Sequence, residues 1–490
     1  MTTPRICVTV SATTMAELVA ARDRAAAEAD LVELRLDGVR DIDVPRALAG
    51  RLAPVVVTCR PRREGGGFEG PEDQRLAFLQ TAARLGAEYV DVEFDSAFGP
   101  LVAETGGRGV VLSSHDFSGV PPDLAGRFRA MRAVGTEVVK IAVMAHSLGD
   151  TLALLPLGRE ATERARVVLV AMGTPGLPSR ILAARFGSCW TYAGEGVAPG
   201  QVSPGRLVSE FRFRSITAST RLYGIIGRPV EHSVSPAMHN AAFEACGFDG
   251  AYLPLEASDA ADAFAFAEAM GLAGASVTAP FKVALLSEAD EVHESARLCG
   301  AANTFRVDDG LRVVRNTDLA GFLAPLDQRG IALGDARVAV IGTGGAARAV
   351  VSALGQRQAR VTVYGRRPAE AARVAALVGG GGGRGAYPAA GSWDLLVNAT
   401  PLGTWPETSA SPVPPESLPG GRVVYDLVYN PVRTTLLEAA SAAGCKTIGG
   451  LEMLVAQAVE QFEWWTGLPA PRDVMWAAAM DGLRRMAGHA

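Results

Sequence analysis

Eight times between residues 5 and 214 a short run of β-branched residues is followed by a longer amphipathic stretch. This repetition narrows the fold more than any other feature of the 490-residue chain. The runs are RICVTV from Arg5, LVELRLD from Leu31, PVVVTCR from Pro54, EYVDVEF from Glu88, GVVLSSHDF from Gly109, EVVKIAVM from Glu137, RVVLVAMG from Arg166 and SCWTYAG from Ser188. The helical stretches extend from residues 15–29 at the start to 203–214 at the end. Parallel strands need crossovers of this length and, with helices over them, read as near-continuous apolar runs. Eight such units meet the requirement of a closed (β/α)8 barrel, whose site lies at the C-terminal mouth of the strands. An open doubly wound sheet is the competing arrangement. Closure is favoured by the ionisable residues. Glu33, Arg35, Arg60, Glu64, Glu93, His115 and Lys140 fall in or just after five strands and converge only if the sheet closes.

Lys140 carries the chemistry of this half. In EVVKIAVM, period-2 alternation sends Val139, Ile141 and Val143 toward the helices and Lys140, Ala142 and Met144 into the barrel. An ammonium there is costly unless it is paired or loses its proton. Two readings stay open: an ion pair with Glu33 or Glu93, or an amine nucleophile that forms a Schiff base with a carbonyl. His115, one strand earlier, suits general acid–base work near neutral pH, and Glu64 could fix its tautomer. Arg180 opens a helix after the seventh strand, where a guanidinium and backbone N–H groups together suit a carboxylate.

The ordered set ELRLD, TCRPRREGG, SSHDF, VVKIAVM, MGTPGLPSR and APGQ resembles type I 3-dehydroquinate dehydratase. The resemblance implies a Schiff base between Lys140 and the substrate C3 ketone, with His115 as acid and base and Glu64 orienting it. It implies that Glu33, Arg35, Arg60, Arg180 and Gln201 hold the carboxylate and hydroxyls. Val197 stands where that family usually has Ser.

After residue 214 the text changes. SITASTR (215–221) is short and polar, as linkers are. YGIIGRP, AYLPLE, GASVTAP and AANTFRV read as strands of a small α/β subdomain over 222–330, with helices at MHNAAFEAC and 260–270. From Ala336 an apolar strand, a Gly-rich turn with Gly342, Gly344 and Ala347, and a helix form a dinucleotide fingerprint within a Rossmann subdomain over 331–449. A second strand, RVTVYGRR, ends in Arg366 and Arg367 where an acidic residue would select NAD, which favours the 2'-phosphate of NADP. VGGGGGRG (378–385) reads as a surface loop. Ser233 and Ser235 precede a helix, where they could cap it or bind a carboxylate. Lys282 and Asp318 are either a salt bridge or a proton-transfer pair.

YGIIGRPVEHSVSP, VTAPFK, AANT, NTDLAG, GTGGAARA, VNATPLGT, DLVYNP and GGLEMLVAQA resemble shikimate dehydrogenase in order. The resemblance implies NADPH-dependent reduction of 3-dehydroshikimate by a Lys282–Asp318 dyad. Ser233, Ser235, Thr278, Asn303, Tyr429 and Gln457 would contact the substrate. Gly342, Gly344, Gly345, Ala346, Arg366, Arg367, Asn398, Thr400 and Gly450 would contact NADP, and helices over about 450–490 would complete the substrate subdomain. Ser276, Gly365 and Glu452 depart from that family's commonest residues. The product of the first activity is the substrate of the second, so the pair implies two consecutive steps. Alternatives are a quinate dehydrogenase partner activity or a non-catalytic regulatory homologue; the intact Lys140, His115, Lys282 and Asp318 stand against the latter.

Composition excludes other classes. With 48% hydrophobic residues and a formal net charge of -5, the chain suits two or three globular domains and offers no basic field for nucleic acid. No run approaches the roughly 18 apolar residues of a membrane span. The six cysteines show no C-x-x-C pair or zinc spacing, so reduced thiols, no metal and a cytoplasmic setting are expected. The oligomeric state is left open.

Overall fold

The computed structural model describes residues 3–160, 166–194, 196, 199–383 and 385–488. It divides into two compact units, Met1–Arg221 with Leu253–Gly271, and Leu222–Tyr252 with Leu272–Ala490. The expected linker at 215–221 therefore packs with the first unit.

All eight expected strands form: β1 (Arg5–Ser11), β2 (Leu31–Arg35), β3 (Val55–Thr58), β4 (Tyr89–Glu93), β5 (Val110–Asp116), β6 (Val138–Met144), β7 (Arg166–Met172) and β8 (Trp190–Ala193). They make one parallel sheet, ordered β7-β6-β5-β4-β3-β2-β1-β8, so β1 joins β8 and the sheet curls into a barrel. The last seam is thin: β7 meets the β8 edge through the Val167–Ser188 bridge and the Leu169 N–H to Ser188 Oγ at 2.9 Å. The interior packs Cys7, Leu31, Val56, Tyr89, Val111, Val138, Val168 and Trp190, with Ala142 and Met144 among them. Lys140 thus points inward as its register demands. The helices have local causes. Met15–Ala25 starts at a Thr14–Glu17 capping box, and Pro204–Ser209 starts under Ser203.

After the barrel, a six-stranded sheet contains β9 (Arg221–Gly227), β10 (Gly250–Glu256), β11 (Leu272–Val277), β12 (Glu291–Val292), β13 (Thr304–Asp308) and β14 (Leu311–Arg315), in the order β10-β9-β11-β13-β14-β12. β12 and β14 were not expected. The β13–β14 hairpin turns at Asp309 and Gly310, with φ of 49° and 84°. A D-G dipeptide between alternating runs encodes this two-residue turn. The helices Gly450–Thr466 and Ser235–Ala245 share a core built on Met238, Phe243, Val455, Phe462 and Trp465, with Met475 and Leu483 from the final helix.

The second sheet contains β15 (Arg337–Ile341), β16 (Arg360–Tyr364), β17 (Gly381–Gly382), β18 (Leu395–Asn398), β19 (Val423–Asp426) and β20 (Lys446–Ile448). Its order, β17-β16-β15-β18-β19-β20, is the doubly wound order with a switch point between β15 and β18. Gly381 and Gly382 correct the reading of 378–385 as only a loop, since they pair in parallel with Thr362 and Val363. A side chain would not fit nearby: a Cβ at Gly380 would lie 2.6 Å from the Val361 carbonyl, and one at Gly383 2.3 Å from the Tyr364 ring.

Candidate active sites

The C-terminal ends of the barrel strands surround a cavity lined by Glu33, Arg35, Arg60, Glu64, His115, Lys140, Arg180 and Gln201, with Thr9, Phe117, Met172 and Tyr192. These include every substrate or catalytic position expected for this half; Val197 lies outside the described residues. The β5–β6 register pairs Ser113 with Lys140 and His115 with Ala142, which sets His115 one pleat above the lysine on the neighbouring strand.

The lysine is paired, more distantly with the expected Glu33 and most closely with an aspartate that was not expected. Its Nζ donates to Asp91 Oδ2 at 3.1 Å, lies 3.9 Å from Glu33 Oε1 and sits 4.2 Å from the Tyr192 ring centroid. Glu93 instead faces Arg60 and Arg75, each at 2.6 Å. Sequence reading missed Asp91, although alternation in EYVDVEF places it on the same face as Glu93. Burial pushes the Asp91 carboxyl up, but Arg60 and Lys140 outweigh it and hold the group well below the usual carboxylate range. Glu33 is fixed by hydroxyls, accepting from Thr9 and Thr58 at 2.8 Å each.

His115 Nδ1 lies 2.9 Å from Glu64 Oε2. Burial, then the charges of Arg60 and Lys140, hold the imidazole well below its ordinary value. Burial pushes Glu64 up to about 7 against the pull of Arg60. A neutral imidazole whose Nδ1 proton is held by a carboxylate presents Nε2 as a base.

Arg35 makes a bidentate pair with Asp37 at 2.8 Å, and Asp37 also accepts from the backbone of Arg60 and Gly67. This second missed aspartate ties the Gly-rich loop to the arginine. Arg180 is 2% exposed, and among the described residues it has no carboxylate partner and no acceptor for Nε. Among the described residues its other nitrogens reach only the carbonyls of Tyr192 and Pro199, and burial lowers it to about 10. A buried guanidinium with spare donors beside a cavity is prepared for an anion.

In the second unit a cleft is lined by Ser235, Ser276, Thr278, Lys282, Asn303, Asp318, Ala346, Tyr429, Gly450, Gln457 and Gln461. Lys282 Nζ donates to Asp318 Oδ2 at 2.6 Å, while Asn303 Nδ2 donates to Asp318 Oδ1 at 2.8 Å. Asn303 also holds Thr317 and reaches Gln457. Sequence reading missed the layer behind: Tyr252 donates to Ser276 at 2.7 Å and Ser276 to Gln461 at 2.6 Å. Ser235 is the first residue of its helix and does not cap it. Ser233 accepts from the Ser235 N–H at 3.2 Å and shares a side-chain hydrogen bond with Tyr429, which lines the cleft.

The switch-point residues fit a dinucleotide. Gly342 has φ of 122°, and a Cβ there would lie 2.7 Å from the Ala399 carbonyl. The helix Gly345–Gln356 starts at Gly344 with no side-chain cap, which leaves its N-terminus available to phosphate. Gly345 lets the Lys282 side chain pass, since a Cβ would meet it at 3.0 Å. A Cβ at Gly450 would lie 2.3 Å from the Leu427 carbonyl. Asn398 is fully buried, bonded to Thr400, Leu402 and Asp426, so it shapes the turn rather than facing the crevice. Arg366 and Arg367 are exposed beyond β16 and make no ion pair among the described residues.

Residues 6–217 match the family model for type I 3-dehydroquinase, 225–305 that for the shikimate dehydrogenase substrate binding domain, and 450–480 that for the shikimate 5'-dehydrogenase C-terminal domain. The chloroplastic bifunctional 3-dehydroquinate dehydratase/shikimate dehydrogenase of Arabidopsis thaliana is 34% identical over 508 residues, covering 96% of this chain and 83% of its own. The shikimate dehydrogenase (NADP(+)) of Moorella thermoacetica is 40% identical over 273 residues, covering 53% of this chain and 92% of its own. A solved Thermus thermophilus shikimate 5-dehydrogenase in complex with NADP(H) and shikimate superposes with a TM-score of 0.50 at 36% identity, over 54% of this chain and 99% of its own. The match to the Arabidopsis relative runs through the barrel and the nucleotide fold alike, and with family models for both activities in order along it the chain belongs to the family of bifunctional 3-dehydroquinate dehydratase/shikimate dehydrogenases.

Proposed function

We propose that the barrel dehydrates 3-dehydroquinate to 3-dehydroshikimate through Lys140 and that the second unit reduces this product to shikimate with NADPH. The observation that carries the first step is Lys140 Nζ facing the cavity beside Asp91, with His115 on the adjoining strand and Glu64, from the loop after β3, at its ring. Lys140 gives its ammonium proton to His115, the amine attacks the C3 ketone, and the hydroxyl so formed leaves as water with that proton, giving a protonated imine. His115 removes the C2 proton while the protonated imine takes up the electron pair, and Asp91 faces its positive charge. The C1 hydroxyl then leaves as water with a proton from His115. Hydrolysis of the imine restores the ketone and the lysine, so one water is lost overall. Arg180, with Arg35, Arg60, Glu33 and Gln201, holds the carboxylate and ring hydroxyls.

In the cleft, Ser235, Thr278, Asn303, Tyr429 and Gln457 position the enone acid, with Ser233 supporting the Ser235 backbone. The Lys282–Asp318 pair delivers a proton to the carbonyl oxygen as it becomes a hydroxyl, and Asn303 holds the second oxygen of Asp318 in place. When bound, NADPH supplies the hydride. The Gly342–Ala346 turn would hold its pyrophosphate and the Arg366–Arg367 pair its 2'-phosphate, with Thr400 beside Gly342 and Gly450 lining the cleft.

The six cysteines are free thiols, which supports a reducing setting, proposed as the cytoplasm; the Arabidopsis relative is named chloroplastic. Among the described residues no helix is long and apolar enough to cross a membrane. The test supplies purified protein with 3-dehydroquinate and NADPH and follows the absorbance of the reduced nicotinamide. Consumption that requires both compounds is expected; none, with dehydroshikimate still reduced, overturns the first assignment.

A further inference from the structure

Behind the Lys140 cavity runs a ladder of alternating charges whose outer members do not line it. Arg75, on the helix Glu72–Arg84, is 0% exposed. It donates to Glu72 at 2.6 and 3.0 Å and to the Cys59 carbonyl at 2.9 Å, and its Nη1 lies 2.6 Å from Glu93 Oε2. Glu93 Oε1 accepts from Arg60 Nη1 at 2.6 Å, Arg60 Nη2 lies 2.9 Å from Asp91 Oδ1, and Asp91 Oδ2 holds Lys140 Nζ at 3.1 Å. Ser113 closes the ladder, accepting from Arg60 at 2.8 Å and donating to Asp91 at 2.6 Å.

A fully buried arginine is poor economy for stability alone, because a well-packed apolar side chain serves as well. Its effect lies further along. Burial pushes the Glu93 carboxyl up in spite of Arg60 and Arg75, so loss of one arginine favours its neutral form. Arg60 would then face a single carboxylate, Asp91, and draw it away from Lys140, whose next carboxylate is 3.9 Å off.

We propose that Arg75 is a positioning residue for dehydration: by engaging Glu93 it leaves Arg60 divided between Glu93 and Asp91, and so keeps one Asp91 oxygen for Lys140 Nζ. This rests on the reading of Lys140 as the Schiff-base nucleophile.

The test compares the full chain with Arg75→Met and Arg75→Lys. It reads dehydratase kcat and KM by enone absorbance, borohydride-trapped adduct at Lys140 by mass, and near-UV circular dichroism with thermal melting of the full chain as the measure of folding. In Arg75→Met, kcat and the trapping rate are expected to fall by about tenfold or more with KM within about threefold, because Arg75 touches no substrate, and Arg75→Lys is expected to recover most of the loss. A folded Arg75→Met with kcat and trapping within about twofold of the parent, or a change in KM alone, overturns the proposal. If Arg75→Met does not fold, Glu93→Gln decides, with the same expected and overturning results. A parent that yields no adduct at Lys140 sinks the Schiff-base reading itself; an adduct in the parent with unchanged variants sinks only the role of Arg75.

Discussion

One oxygen of Glu64 serves His115 twice: Oε2 lies 2.9 Å from the ring Nδ1 and 3.3 Å from the backbone nitrogen of the same residue. The carboxylate thereby fixes ring and main chain together, and the protonation of the pair decides whether Nε2 can act as a base. Burial holds His115 low and Glu64 near 7, so the competent form, neutral imidazole with ionised Glu64, gains as pH rises through about 7. Dehydratase kcat is expected to rise with pH through that region. Glu64→Gln keeps the shape but cannot ionise; it should flatten that limb and lower kcat by about 10²-fold, measured by enone absorbance across pH. An unchanged limb in the variant would assign it to another group.

Lys140→Met should reduce dehydration to background and abolish the borohydride adduct, while shikimate oxidation in the other unit stays within about twofold. Breaking a buried pair costs about 3–5 kcal/mol when the remaining charge is uncompensated. Arg60 and Ser113 still hold Asp91, so thermal melting should show a smaller loss.

Arg180→Met should raise KM for dehydroquinate by about tenfold to a hundredfold, the worth of a charge-assisted hydrogen bond or two. Burial disfavours the cation, lowering it to about 10, so the ligand-free variant should melt no lower than the parent. A marked fall in melting temperature would show that the guanidinium is structural.

Asp318→Asn keeps the Asn303 contact at one oxygen position but removes the charge facing Lys282. Reduction of dehydroshikimate should slow by about 10²–10⁴-fold with dehydratase activity unchanged, checked by assaying each half separately.

Replacing Arg366 and Arg367 together by Ala should raise KM for NADPH by about tenfold or more and leave NADH nearly unaffected, since only the former carries a 2'-phosphate. Equal losses with both coenzymes would move the source of selectivity elsewhere.

The identity of the eight barrel strands, barrel closure, the inward face of Lys140 and the strand-turn-helix of the nucleotide fold were all readable from the chain. Each rests on local periodicity or on the steric freedom of glycine, as at Gly342. The D-G turn of the β13–β14 hairpin was equally readable and was overlooked. What only the tertiary structure decided was which charges meet. Alternation places Asp91 and Glu93 on one face, yet the partner of Lys140 is Asp91 because Glu93 is already held between Arg60 and an arginine from an outer helix. The same holds for Asp37 on Arg35, for Asn398 turned inward, and for Gly381 and Gly382 recruited to a sheet edge. Patterning fixes direction along an element over a few residues. Electrostatic pairing depends on distances of a few ångströms between segments far apart in sequence, and those exist only once the chain has closed on itself.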